Sequence, residues 1–488
     1  MSQPNSDHSL PDPELTDPQR SLNRLLPHGM ILPLVIASAL FIENMDSTVL
    51  ATSLPAIAID LHQDPIILKL AFTSYLLSLA IFIPVSGFIA DKFGARHVFR
   101  LAIALFTLAS MACAFASSLE AFILARFVQG LGGAMMVPVG RLVLVRAIPK
   151  HDLVRALSYL TLPALVGPVI GPLIGGALTT YLSWRWIFFI NLPMGVVGII
   201  LATLFVPDVR AEVERRFDAI GFILSGLGLV SVVFGLTIIG RDILPGLVAP
   251  ALILSGAAIL FLYTKHAKRH PDPIIKLELL KLPTFRTSVI GGFFFRAGIG
   301  SNPFLLPLML QLGFGLTPFQ SGSLTFASAA GAFLMKFTAP KILKRFGFRM
   351  ILMFNGVISA AFFGTIALFS PATPHLVILA TLLAGGFFRS LQFTSLNAIA
   401  YADVEPEDLS RASSFASVVQ QVSGSVGVAF AAIILEMMQS LRGDATLTIP
   451  DFQIAFALTG LVIAASTLSH RRLAKHAGAD VSGHHAAP

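Results

Sequence analysis

Residues 30–55 read MILPLVIASALFIENMDSTVLATSLP. The run is long and apolar enough to cross a bilayer as a helix, which takes about 20 residues at 1.5 Å each. Yet it carries Glu43 and Asp46 near its middle. A charge at the bilayer centre costs about 2.5–3.5 kcal/mol on insertion scales. Two acids three residues apart share one helix face, so that face is expected to line a polar cavity serving a proton or a substrate. The alternative is a structural pair satisfied by a neighbouring arginine.

The rest of the chain has the same character. Of its 488 residues 55% are hydrophobic and 12% charged, against about 25% charged in soluble domains. Mean hydropathy is +0.80. This excludes a soluble enzyme with a single anchor. The first apolar run is too long for a signal-peptide core and lacks a small-residue cleavage site, so it is expected to be retained. Cys113 is the single cysteine, and no intrachain disulfide can form.

About fourteen apolar segments can cross a bilayer: 29–52, 66–90, 98–117, 120–145, 155–181, 186–206, 217–239, 246–264, 286–312, 319–341, 349–370, 374–399, 411–436 and 451–469. The expected architecture is all-α and polytopic. Of 34 Lys and Arg, 25 fall in the terminal tails and the loops after even-numbered spans. Four (Lys69, Arg185, Arg241 and Arg442) fall in the opposite loops, and five lie inside spans. The positive-inside rule then places both termini in the cytoplasm, and topology accounts for the net charge of +8 without nucleic acid. Trp184 and Trp186 fall at the outer end of span 6, where an interfacial belt would place them.

The longest polar connections, 207–218 and 265–283, bracket one hydrophobic hairpin, spans 7 and 8. The expected organisation is a tail (1–28), a six-helix half (29–207), linkers with an inserted pair (208–270), a second six-helix half (271–470) and a C-terminal tail (471–488) without fixed structure.

The intramembrane charges follow a pattern. Splitting each half into triplets makes spans 1, 4, 9 and 12 the leading helices. Glu43 and Asp46 lie on span 1, Arg126 and Arg141 on span 4, Arg296 on span 9 and Arg389 on span 12; Lys336 on span 10 breaks the pattern. Such residues normally face a bundle interior or a water-filled cavity, so the expectation is four helices around one polar path. Arg141 and Lys336 are near enough to span ends to snorkel. Arg296 and Arg389, too deep for that, are candidates for substrate or counter-ion roles, with Asn302, Gln311, Gln392 and Asn397 as added hydrogen-bonding groups. Amides in spans also act as helix glue.

Between spans 2 and 3 the chain reads GFIADKFGAR (87–96). It resembles the loop signature of the major facilitator superfamily, carried here by Gly87, Asp91, Lys92, Gly94 and Arg96, and the resemblance implies a conformational latch. A second copy at 340–349 keeps Gly347 and Arg349 but has Lys344 where the acid would stand. RFVQG (126–130) resembles the motif that supplies a buried arginine in antiporter branches. GPVIGPLIGG (167–176) resembles the antiporter signature; small residues every four positions let helices approach closely and prolines weaken the local ladder. Gly167, Gly171, Pro172, Gly175 and Gly176 are thus expected to form a packed hinge. DSTVLATSLP (46–55) and WIFFINLPMG (186–195) resemble the fourteen-span drug:proton antiporter family, over essentially the whole chain after its tail.

The resemblance implies a proton-coupled efflux transporter that exports small organic compounds across the inner or plasma membrane by alternating access. Asp46 is then the titratable residue and Arg126 its partner, while Glu43 joins them on position alone. The alternative is an exporter of an endogenous anionic metabolite or metal chelate, its carboxylates bound by Arg296 and Arg389. The expected partners are a small-molecule substrate, a proton and the lipid bilayer, with a monomeric chain, no nucleic acid and no cofactor beyond the coupling proton. No GxxxxGK[ST] loop is present for a nucleotide-driven pump, so an enzyme is not expected. The twelve histidines lie in tails, loops or at span ends, which argues against a metal site.

Overall fold

A computed structural model describes residues 31–148, 153–208, 217–239, 245–444, 446–474 and 476–484. The tail 1–28 and the charges Lys150, Arg210, Arg215, Arg216, Arg241 and Lys475 lie outside the described residues. All regular structure among those described is helical, as a backbone immersed in hydrocarbon requires unless it closes a barrel.

The helices are α1 (Ile31–Asp60), α2 (Lys69–Phe93), α3 (Ala95–Phe115), α4 (Leu119–Ala147), α5 (Leu153–Tyr181), α6 (Trp186–Phe205), α7 (Ala219–Ile238) and α8 (Val248–Ala267). They continue as α9 (Pro283–Gly313), α10 (Pro318–Met350), α11 (Gly356–Thr365), α12 (His375–Ile399), α13 (Leu409–Arg442) and α14 (Ile449–Ser466). Among the described residues, twelve helical stretches are long and apolar enough to cross a membrane. That figure takes Pro318–Leu368 as one stretch of 51 residues, although Gly347 interrupts it at φ 68° and ψ 166°. Leu165–Tyr181 of α5 is a shorter apolar stretch beside these twelve.

α1 packs on α5, α6 and α4, while α2 and α3 pack on α4. Further along, α10 packs on α12, α9 on α13 and α14, and α11 on α14 and α12. The two groups meet where α5 lies on α10 and α2 on α13; the α7–α8 hairpin leans on both α2 and α13.

Local sequence explains several boundaries. Asp218 caps α7 by accepting from Gly221 N at 2.8 Å, and the same carboxylate holds His266 Nε2 (2.7 Å) and Ile274 N (3.2 Å), tying the hairpin's open end to the chain that follows. Thr317 and Gln320 close a capping box at α10, with Pro318 in the first turn.

Two expectations change. Residues 476–484 of the C-terminal tail are not free of structure: they fold back on α10, with His484 Nδ1 2.9 Å from Lys344 O, filling space beside the positive-φ Gly347. Trp184 does not sit in an interfacial belt. It is 4% exposed and packs edge-on against Phe122 and Phe188; Trp186 is the one half exposed.

Candidate functional site

The acids and arginines of the sequence fall into two separate groups. The first is a sealed polar cluster among α1, α3, α4 and α6. Asp46 is 3% exposed and Arg126 fully buried, and they pair at 2.7 Å between Arg126 Nη1 and Asp46 Oδ2. Arg126 Nη1 also donates to Gln129 Oε1 at 2.6 Å, and Gln129 Nε2 donates to Asp46 Oδ1 at 2.9 Å. From α6, Asn191 Nδ2 donates to Asp46 Oδ1 and to Ser110 Oγ, each at 2.9 Å. Ser110 Oγ donates in turn to Phe188 O. The Arg126 guanidinium lies 4.3 Å from the centre of the Tyr75 ring, a cation–π contact strengthened by desolvation. One carboxylate thus faces three N–H donors in a buried site, the arrangement a buried charge requires.

Glu43 stands beside this cluster rather than in it. Its Oε2 is buried without a hydrogen-bond partner, and its side chain lies near Gly133 of α4. Arg141 is exposed.

The second group lines a cavity of about 410 Å³ between the two halves of the bundle. Arg296, Asn302, Lys336 and Arg389 line it, with Thr48 and Thr52 from α1 and Gln420 from α13. Arg296 is held by Ser288 O (2.6 Å), Ser288 Oγ (3.3 Å) and Asn397 Oδ1 (3.1 Å). Arg389 donates to Ser328 Oγ at 3.1 Å, and Lys336 to Thr394 Oγ1 at 2.9 Å. The hydrogen bonds of these three cations run to hydroxyls, a carbonyl and an amide, while the ion pairs of the described residues join other groups. Asp46 and Glu43 are not among the cavity residues. The single polar path expected from the sequence is therefore two sites: Arg126 finds its counter-ion inside its own bundle, and the cations of the other half face the gap. Gln392 also lies away from the cavity; it is buried and holds Asn355 and Leu352 O.

The loop signature sits at one face. Gly94 takes φ 89° between α2 and α3, a conformation disfavoured for any residue with a Cβ. Asp91 pairs with Arg146 at the end of α4 at 2.7 Å, Arg96 donates to Thr203 O, and Lys92 lies against the rings of Phe88 and Phe93. Gly87 faces open space. On α5, Gly167, Gly171 and Gly175 face Phe41–Thr52 of α1, while Gly176 meets Pro318 of α10 and Pro172 O meets Gly322.

Asn191, Ser110 and the pair Lys69–Glu436 were not singled out by the sequence reading. Asn191 had a signal, an amide inside the apolar stretch WIFFINLPMG. Among the described residues one group could offer three metal-ligand atoms, Asp218, His266 and His270; there the Asp218 oxygens are engaged by a helix cap and a linker amide.

Comparison with known proteins agrees with this architecture. A family model described as Major Facilitator Superfamily matches residues 36–428 and 288–477. "Putative multidrug resistance protein MdtD" of Citrobacter koseri is 35% identical over 446 residues, covering 90% of this chain and 93% of that protein. "Probable transport protein HsrA" of Haemophilus influenzae is 36% identical over 444 residues, covering 91% and 96%. Among solved structures, an auto-inhibited POT family peptide transporter aligns with a TM-score of 0.65 at 16% identity, covering 91% of this chain and 97% of that one. A D-xylose-proton symporter aligns at 0.65 and 14%, covering 92% and 98%. A helical bundle with a central cavity, the GFIADKFGAR loop and relatives matched nearly end to end leave one assignment: this chain belongs to the major facilitator superfamily of membrane transporters.

Proposed function

We propose that the protein is a proton-coupled exporter of small organic compounds. It crosses the inner or plasma membrane fourteen times as two six-helix halves and an inserted pair, with both termini cytoplasmic. The halves rock about the central cavity, exposing it to one side and then the other. The proton enters at Asp46. The observation that carries this reading is the burial of Asp46 against Arg126 and amide donors, away from the cavity: a carboxylate so enclosed changes its surroundings whenever it gains a proton or the bundle shifts. The name of the 35% identical Citrobacter koseri relative supports transport of drug-like compounds, and that of the 36% identical Haemophilus influenzae relative supports transport.

The test is flux in proteoliposomes with and without a pH gradient. Asp46→Asn should abolish proton-driven flux while the purified protein stays folded. Undiminished gradient-driven transport in that variant rejects the assignment.

One observation favours the second reading, an organic anion as cargo. Arg296, Arg389 and Lys336 line the cavity with hydrogen bonds only to neutral groups. Cations facing a cavity, Arg296 among them buried, with no carboxylate partner favour a negatively charged ligand. Arg296→Ala and Arg389→Ala should weaken binding of a carboxylate substrate far more than that of a lipophilic cation. Equal losses for both would reject it.

A further inference from the structure

Among the described residues, every side chain hydrogen-bonded to Asp46 is a donor. Oδ1 accepts from Gln129 Nε2 and Asn191 Nδ2, and Oδ2 accepts from Arg126 Nη1. That environment fits the ionised carboxylate and opposes the acid, because a protonated carboxyl gains an O–H that needs an acceptor. Gln129 Oε1 is already taken by Arg126. Three buried acceptors nearby have no hydrogen-bond partner, Asn191 Oδ1, Glu43 Oε2 and the Tyr75 hydroxyl, and of these only Asn191 belongs to a side chain already hydrogen-bonded to Asp46. In a fold where buried polar atoms are generally satisfied, such an atom calls for an explanation.

We propose that Asn191 is the proton-sensing partner of Asp46, and that its amide turns over when Asp46 is protonated. The two ends of a side-chain amide have nearly the same shape and opposite hydrogen-bonding character. A half turn about its Cβ–Cγ bond puts Oδ1 where Nδ2 now stands, 2.9 Å from both Asp46 Oδ1 and Ser110 Oγ. The incoming aqueous proton adds to Asp46 and its O–H donates to Asn191 Oδ1. The Ser110 hydroxyl, which now donates to Phe188 O, is within reach of the same oxygen. No covalent bond other than the new O–H forms, and the reverse turn returns the proton. Asn191 lies just past Ile190, where the short helix Trp186–Phe189 gives way to the rest of α6. A change at Asn191 is therefore felt at the one local break in α6, beside the Ser110–Phe188 bond that links it to α3.

The charged and titratable groups around Asp46 are Arg126 from α4, Tyr75 from α2, Cys113 from α3 and Glu43 from α1 itself. α5, on the other side of α1, turns Gly167, Gly171 and Gly175 toward it. None of these groups is a free acceptor hydrogen-bonded to Asp46.

This inference rests on the proton reading, and one experiment separates the two. Infrared difference spectra of the full chain in proteoliposomes are recorded between basic and acidic buffer. The expected wild-type result is a protonated-carboxyl band absent from Asp46→Asn, together with a downward shift of one side-chain amide carbonyl as it gains a hydrogen bond. That shift should vanish in Asn191→Leu and in Asp46→Asn. A titrating Asp46 band with no Asn191-dependent carbonyl shift overturns the proposal and leaves the proton site standing. A wild type with no titrating Asp46 band rejects both. Because the decisive pair of bands is read in wild type, a poorly folded Asn191→Leu does not rescue the idea; isotope labelling of asparagine then supplies the assignment.

Discussion

Lys69, the first residue of α2, and Glu436, near the end of α13, form a buried ion pair at 2.8 Å, with side chains 0% and 5% exposed. It ties the two halves together at the face opposite the Asp91 loop. Two charges held this far from water demand close geometry, since desolvation offsets most of their attraction. Removing one partner takes away the opposite charge that the other meets at 2.8 Å. Glu436→Gln or Lys69→Met should each destabilise the purified protein by about 3–5 kcal/mol. Lys69→Met with Glu436→Met should recover most of that loss, because two apolar groups replace the pair. Thermal unfolding of the three variants decides it: a double variant as unstable as the singles would show the pair is not acting as a unit.

This pair also shows where sequence reading stops. The apolar periodicity placed nearly every helix, because hydrocarbon tolerates little else. The family resemblance named Arg126 as the partner of Asp46, and the two pair at 2.7 Å. Burial of Lys69 was not legible, because a lysine at a span end normally reads as a snorkelling loop charge, and its partner lies 367 residues away. The same limit merged two sites into one. Depth along a helix can be counted from sequence, whereas the side to which Arg126 turns depends on which neighbour offers a carboxylate.

α5 and α10 touch through backbone. A Cβ on Gly176 would lie 2.4 Å from Pro318 O, and one on Gly322 2.1 Å from Pro172 O, so each glycine sits against the other helix's proline carbonyl. Gly176→Ala should force the helices apart at a cost of about 1–3 kcal/mol and slow transport more than it weakens substrate binding. Separate measurement of turnover and equilibrium binding checks this, and an unchanged turnover would show that the contact is passive.

Asp91 and Arg146 form the ion pair of the loop signature, partly exposed at 16% and 29%. Exposed pairs contribute about 0–1 kcal/mol, so Asp91→Asn should hardly move the melting temperature. Under the rocking mechanism proposed above, transport should nonetheless fall, because the pair joins the end of α2 to the end of α4 and would break and re-form in each cycle. Arg146→Ala should match it, and the double variant should be no worse than either single. Additive losses would mean that the two residues act separately.

Asp218 joins three things: the N-terminus of α7, His266 on α8 and the backbone at Ile274. Burial pushes its carboxyl up, but the hydrogen bonds from His266, Gly221 and Ile274 outweigh that and hold it below the usual carboxylate range. A carboxyl depressed in the fold adds stability above its unfolded value of about 3.9. That stability is lost as pH falls through the lower value held in the fold. Asp218→Ala should therefore lower stability at neutral pH by about 0.5–2 kcal/mol, the range for a lost helix cap. The gap to wild type should persist unchanged through mildly acidic buffer and close only in strong acid. Melting curves across that pH range, with flux measured in parallel, check both parts. A gap that shrank already in mild acid would mean that the carboxyl is not held down as the geometry requires.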